Sequence, residues 1–346
     1  MLRALRRKNP EYVPWGMELC GSLIKKLKKE RGTDDYFSYY ELPYRQINLW
    51  PTRLKGQYDA WYAPGSLPDN AWIDEWGVGH VPSGLAHFSS MIHPMENFSA
   101  ARQVWDFPIP DLLADYRWEG MAERVQAIQS AGYLAVYSAV QVFEPAWYLR
   151  GLENMLIDLY DQNEVGAACL ERVCQIQAQL SRKVAETGVD LIVFGDDVGT
   201  QKSMMMSRTI WHERIRFTME RCIAAAKGTN PDVLAYYHSD GNIEDIIPEL
   251  IEIGVDVLNP IQPECMDPVE IKKQYGDHLS FWGTIGTQTT MPFGSVDEVT
   301  AVTRHMIETV GKGGGLVIAP THLLEPEVPL QNIDAFYQTV RQYGRY

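Results

Sequence analysis

This chain of 346 residues lacks most of the patterns that assign a function at sight. Its five cysteines, Cys20, Cys169, Cys174, Cys222 and Cys265, form no CxxC pair and no disulfide-like spacing. That excludes a cysteine-based zinc ribbon and reads as reduced thiols in a cytoplasmic protein. No GxGxxG follows a strand-like run and no GxxxxGK[ST] occurs, so the usual phosphate-cradling loops are missing. No apolar run is long enough to cross a bilayer, and no signal-peptide core follows the basic start at 1–8. Positive charge is scarce: 31 Lys and Arg against 45 Asp and Glu, a net charge of −14. Nucleic acid and membrane are therefore not expected as partners. A polyanionic substrate would need a local arginine cluster set against the overall field. A homo-oligomer is compatible with all of this.

What is present divides in two. Residues 1–118 are crowded with aromatics, among them Trp15, Tyr36, Tyr44, Trp50, Tyr58, Trp61, Trp72 and Trp76. A helix is expected over 17–30. The Pro-, Gly- and Asp-rich stretch 58–93, with short alternating runs, reads as a β-rich insertion or lid. From 118 onward strand-like and helix-like runs alternate without a break in composition. Apolar runs at 133–138, 191–194, 233–237, 255–258, 279–282 and 316–319 read as strands buried on both faces. Helices are expected between them, with Ser207, Asp267 before Pro268, and the Ser295/Glu298 capping box as start signals. Six such units after 118, with one or two before it, predict a single-domain α/β fold: a (β/α)8 TIM barrel, 1–346, with an elaborated N-terminal region. A doubly wound open sheet is the alternative.

In a parallel barrel the carboxyl ends of the strands converge on one mouth. Here nearly every strand ends in polar residues. Glu144 follows the first, Asp196 and Asp197 the second, His238 and Asp240 the third. Asn259 and Gln262, then Thr284, Thr287 and Gln288, then Thr321 and His322 follow the others. Glu144, Asp196, Asp197, His238 and Asp240 are the candidate catalytic groups; Asn259, Trp282, Gln288 and Thr321 are candidate substrate contacts. One of Asp196 and Asp197 is expected to line the site, the other to cap a helix or hold the loop. His238, Asp240 and His322, with Asp196 or Glu144, would suit Zn2+ or another borderline divalent ion, and equally general acid–base work. His80, His87, His93, His212, His278 and His305 sit in helix, lid or surface contexts.

The runs GDDVGTQ at 195–201, HSDGN at 238–242, LIEIGVDVLNP at 250–260, FWGTIGTQ at 281–288, and GGG at 313–315 leading to APTH at 319–322 resemble, in this order, the uroporphyrinogen decarboxylase superfamily. The likeness covers roughly 95–346 and is strongest to its methyltransferase-like branch, which serves corrinoid-dependent methyl transfer. It implies a (β/α)8 barrel. It also implies a methyltransferase that passes a methyl group from a small donor to a corrinoid (cobalamin) carried by a partner protein, with a metal at the mouth.

Two departures shape that expectation. The decarboxylases carry an Arg-Gln-x-Gly-Arg-Tyr segment, whereas this chain has Tyr44-Arg45-Gln46-Ile47-Asn48, without the glycine and second arginine. The zinc methyltransferases carry His-x-Cys and a later Cys; His238 matches the histidine, but Asp240 stands at the first cysteine, and Thr321 and His322 near the second. The resemblance then implies an oxygen/nitrogen site of His238, Asp240 and His322 suited to an ether, alcohol or amine donor, with the N-terminal aromatics shaping its pocket. The alternatives are a lyase that decarboxylates a carboxylated substrate and a non-catalytic barrel that binds a corrinoid or tetrapyrrole.

Overall fold

Short runs of branched and aromatic residues, bounded by glycine, proline or polar groups, become strands because pleated backbone suits their stiff side chains. A computed structural model describes residues 1–8, 10–83 and 88–346; positions 84–87 of the expected lid, with His87, lie outside the described residues. Ten strands form among them: β1 (Tyr44–Ile47), β2 (Trp72–Ile73), β3 (Gly79–Pro82), β4 (Ser89–Ile92), β5 (Leu134–Gln141), β6 (Leu191–Gly195), β7 (Leu234–His238), β8 (Val257–Asn259), β9 (Ser280–Trp282) and β10 (Leu316–Val317). Seven make one sheet in the order β1-β5-β6-β7-β8-β9-β10. Every pairing in it is parallel. The register aligns the carboxyl ends, with Gly195 opposite His238 and His238 opposite Asn259.

Helices cover the sheet where the capping signals place them. Asn163, Ser207 and Asp267 each accept backbone N–H groups of the turn they start, and Ser295 and Glu298 close a capping box. Two expectations need correction. The helix read over 208–226 is not uniform: a wide π-turn, Trp211–Ile215, precedes Arg216–Thr229. Around it Arg208, His212 and Arg216 converge on the buried Glu249 at 2.8, 2.6 and 3.6 Å.

The first long helix begins at Gly21, not 17. Its expected first turn is extended because that backbone is already engaged. Gly16 N–H donates to the Ile318 carbonyl, Ile318 N–H to that of Pro14, and Leu324 N–H to that of Glu18. The bridges Trp15–Ile318 and Leu19–Leu324 are parallel. This segment lies beside β10, and β1 reaches it by side chains: Tyr44 Oη donates to the Met17 carbonyl at 3.1 Å and Gln46 Nε2 to Glu18 Oε1 at 2.9 Å. The architecture is thus a curled seven-stranded parallel sheet of TIM-like design. An eighth ladder strand does not form among the described residues.

The N-terminal region builds a separate antiparallel sheet, β2-β3-β4. Its aromatics pack on one another: Phe107 receives Tyr58 at 5.3 Å and Trp61 at 5.0 Å between ring centroids. Two buried arginines fasten this region. Arg117 pairs with Glu75 at 2.8 Å and Asp111 at 3.3 Å. Arg150 donates to the carbonyls of Met95, Glu96 and Phe98 and pairs with Asp158 at 2.8 Å. Among the described residues no helix is long and apolar enough to cross a membrane.

Removing one partner of a buried, hydrogen-bonded ion pair leaves the other charge uncompensated. Arg150→Leu is expected to lower unfolding stability by about 3–5 kcal/mol, read as a shifted midpoint in urea denaturation. A change below about 1 kcal/mol would contradict the fastening role.

Candidate functional site

Along extended backbone, residues two apart share a face, so Tyr236 and His238 of β7 project together. They enter a cavity of about 420 Å3 bounded by the matching faces of the neighbouring strands: Tyr44 and Gln46 of β1, Gln141 of β5, Asn259 of β8 and Trp282 of β9. That volume is in the range of small-molecule sites.

The orientation of His238 follows from its neighbours. Asn259 Nδ2 donates to the Trp282 carbonyl at 2.6 Å. A carbonyl only accepts, so the amide nitrogen faces Trp282 and the amide oxygen faces the imidazole. His238 Nδ1 lies 2.6 Å from that oxygen and is therefore the donor. Nε2 turns toward Asp197, whose Oδ1 is 3.5 Å away. Burial alone would lower the pKa of His238; Asp197, Asp240, the Asn259 bond and Glu144 outweigh it and raise the pKa above 6.5.

Asp240 follows on an extended segment pinned by glycines. Gly241 has φ +83°, and a Cβ there would meet the Thr200 carbonyl oxygen at 2.6 Å. This close approach lets Asn242 N–H reach the Thr200 carbonyl at 2.7 Å and Asp240 N–H reach Asp197 Oδ1 at 2.8 Å. Burial raises the pKa of Asp240, with Asp197 adding to it and His238 and His322 opposing. Its Oδ1 is buried with no hydrogen-bond partner. Its Oδ2 lies 3.7 Å from His322 Nε2.

The two adjacent aspartates part company. Asp196 is fully buried and accepts N–H bonds from Val142 at 3.0 Å and Glu144 at 2.9 Å. It thereby holds the start of the helix Phe143–Arg150, and burial, then Glu144, push its pKa well up. Asp197 faces the imidazole. One ligand atom each from Asp197, His238 and Asp240 lie within 4.8 Å of one another. His322 stands against Asp240, outside that triplet. Glu144 is in the first turn of its helix. It accepts from Tyr148 Oη at 2.8 Å and Asp197 N–H at 3.3 Å, and contacts the Gln141 amide. Burial, then Asp197, raise its pKa.

Of the expected substrate contacts, Asn259, Trp282 and Thr321 line the cavity. Gln288 is exposed and lines an outer cleft with Gln262, Thr287, Asp240 and His322. Of the N-terminal aromatics, Tyr44 alone among the described residues lines the cavity, so the aromatic pocket is not built by the 58–93 region. Neither cavity nor outer cleft has an arginine or lysine in its described lining. Arg45 points to the opposite face of β1. It donates to the Leu42 and Tyr44 carbonyls and lies over Tyr133 at 3.7 Å.

Glu18, Tyr44, Gln46, Gln141 and Tyr236 are lining residues that the strand-end reading missed. Period-two alternation back from His238 points to Tyr236. Gln141 had no such signal, because β5 bulges between Tyr137 and Val140, with Ala139 at φ +76°. A bulge breaks alternation and turns the residues beyond it to a new face.

Raised pKa values at His238, Asp240, Glu144 and Asp196 mean that the folded state holds extra protons. Their stabilising contribution is complete below the unfolded values, about 4 for the carboxyls and 6.5 for histidine. It is lost as pH rises through the higher folded values. In the metal-free protein, Asp240→Asn is expected to flatten the fall in melting temperature as pH rises above the ordinary carboxyl value of about 4. In NMR titrations His238 should protonate above 6.5, and Asp197→Asn should bring that value down; an unchanged value would show that the Asp197 charge does not act on the ring.

The geometry can be set beside known proteins. Residues 141–343, more than half of the chain, match the family model described as uroporphyrinogen decarboxylase (URO-D). No curated protein matches the chain. A methyltransferase from Methanosarcina mazei superposes with a TM-score of 0.71 over 99% of this chain and 97% of that one, at 15% sequence identity, a likeness of fold. Xylanase 10B from Thermotoga petrophila RKU-1 in complex with xylobiose gives 0.42 at 11% identity over 70% and 84%, which bears on nothing further. The family match extends over β6 to β10 and their polar ends, and the chain belongs to the uroporphyrinogen decarboxylase family.

Proposed function

We propose that this protein is a methyltransferase that moves a methyl group from a small methylated or methoxylated compound to a corrinoid (cobalamin) carried by a partner protein. The observation that carries this reading is an oxygen/nitrogen donor set, Asp197, His238 and Asp240, beside a cavity whose described lining has no arginine or lysine. The likeness to the methyltransferase from Methanosarcina mazei supports it. A substrate bearing several carboxylates would find no arginine or lysine in the described lining to receive them. Arg45, the nearest match to the decarboxylase arginines, faces away. The five free cysteines fit a reducing, cytoplasmic setting.

The donor set fits a divalent ion. Asp240 Oδ1 is buried without a partner, and the bond from His238 Nδ1 to Asn259 leaves Nε2 for a ligand, as in metal-binding histidines held through their other nitrogen. Asp197, His238 and Asp240 would hold zinc or a harder divalent ion; bound there, it would polarise the oxygen or nitrogen that carries the methyl group. Asn259 fixes the tautomer of His238. Tyr44, Tyr236 and Trp282 form an aromatic wall beside it. Without an ion, Asp240 and His238, both held above their usual pKa, can supply the proton that the departing heteroatom takes.

Two measurements test this. Purified protein should bind about one zinc per chain. His238→Ala should abolish binding, and Asn259→Ala should weaken it about 10–100-fold. With a corrinoid protein and methoxylated or methylated donors, visible absorption should report corrinoid methylation, slowed at least about 100-fold by His238→Ala. Release of carbon dioxide from a carboxylated tetrapyrrole or small acid, lost in Arg45→Ala, would replace this reading by the lyase. Corrinoid binding indifferent to His238→Ala, without turnover, would replace it by the binding barrel.

A further inference from the structure

The cavity has an uncommon balance of surfaces. Three aromatic rings from three strands meet in it. Trp282 packs near-perpendicular to Tyr44, at 5.1 Å and 75°, and to Tyr236, at 5.4 Å and 82°. Perpendicular rings present π-faces in more than one direction, which is the arrangement that surrounds a rounded cation. Elsewhere the protein covers ring faces with its own cations: Arg45 over Tyr133 at 3.7 Å, Arg53 over Tyr116 at 4.3 Å and Arg124 over Trp50 at 4.5 Å. Among the described residues none lies over Tyr44, Tyr236 or Trp282.

A carboxylate completes the set. Glu18 is exposed and lines the same cavity. Its Oε1 accepts from Gln46 at 2.9 Å, which steadies the group without neutralising it. Its charge is felt at both tyrosines, where it adds to burial in raising the phenol pKa. It has no lysine or arginine partner among the described residues. The Tyr236 hydroxyl likewise makes no hydrogen bond among them.

Resting on the methyl-transfer reading, we infer that the substrate carries a positive ammonium group, quaternary or protonated, seated against Tyr44, Tyr236 and Trp282 with Glu18 as its counter-charge. Neutral donors of the same shape would gain the apolar contact but not the attraction to ring faces and carboxylate. Anionic donors would meet Glu18 and find no arginine or lysine in the described lining. Tyr236 and His238 are two residues apart on one strand, about 6–7 Å along it. The ammonium site and the Asp197/His238/Asp240 cluster therefore address different parts of one small molecule. Net charge of −14 favours the approach of cations as well.

The test compares choline with its uncharged carbon isostere, 3,3-dimethylbutan-1-ol, by calorimetric titration of the zinc-loaded protein. Choline is expected to bind at least about tenfold more tightly. Glu18→Gln, an exposed change that spares the core, should weaken choline about fivefold and leave the isostere unchanged. Tyr236→Leu should weaken choline, and Tyr236→Phe should preserve it. Equal binding of the two compounds, or a choline affinity indifferent to Glu18→Gln, overturns the inference, as does binding of neither. If neutral methoxyarenes methylate the corrinoid while choline fails to bind, the ammonium inference falls and methyl transfer stands. If choline binds selectively and no donor yields methylation, the ammonium site stands and the methyl-transfer reading falls.

Discussion

Four carboxyl groups, Glu144, Asp196, Asp197 and Asp240, crowd the carboxyl ends of β5, β6 and β7 around the His238 imidazole, with His322 3.7 Å from Asp240 at the edge. No arginine or lysine pairs with them among the described residues. Such a cluster is unfavourable unless each charge is bonded, protonated or shared with a cation. The structure does some of each. Asp196 is held by backbone N–H groups of the following helix. Glu144 is bonded by Tyr148 and Gln141. His238 is pushed toward its charged form between Asp197 and Asp240. Asp240 keeps one oxygen buried and unbonded. The demand left unmet there is for positive charge.

The parallel sheet creates that crowding and then confines it. Because β6, β7 and β8 are in register, Gly195, His238 and Asn259 lie abreast, and their successors emerge on one edge. The glycine-permitted contact of 199–200 with 240–242 brings Asp240 back over Asp197. On the far side the cavity is walled by the extended N-terminal segment, held to 318–324 by backbone bonds and to β1 by Tyr44 and Gln46. The same segment delivers Met17 and Glu18 to the lining. Closure of the wall and placement of the cavity's own carboxylate are one event.

Aromatic content divides into two roles that composition cannot separate. The rings of the 58–107 region pack on one another and stiffen the N-terminal sheet. The three rings in the cavity come from β1, β7 and β9, positions spread over more than two hundred residues. Among the described residues the rings of the 58–107 region do not line the cavity, whereas Tyr44 of the same N-terminal third does.

The sequence by itself determined the alternation of strand and helix, the parallel sheet, the helix caps at Ser207, Asp267 and Ser295, and the phasing of polar residues to strand ends. These are local properties, written in periodicity and in hydrogen-bonding groups within a few residues of each other. It also carried the family motifs, including Asp240 where a cysteine was expected. Only tertiary structure decided which of two adjacent aspartates faces the imidazole, because alternation predicts opposite sides but not which side is the mouth. It decided that Asp197 rather than His322 joins the His238/Asp240 cluster, since that depends on backbone contact between two loops. It decided the extended course of 13–19, which helix propensity cannot foresee because its partners lie some three hundred residues away. The gathering of Tyr44, Tyr236 and Trp282 into one wall has the same cause: distance in sequence vanishes only when the sheet curls.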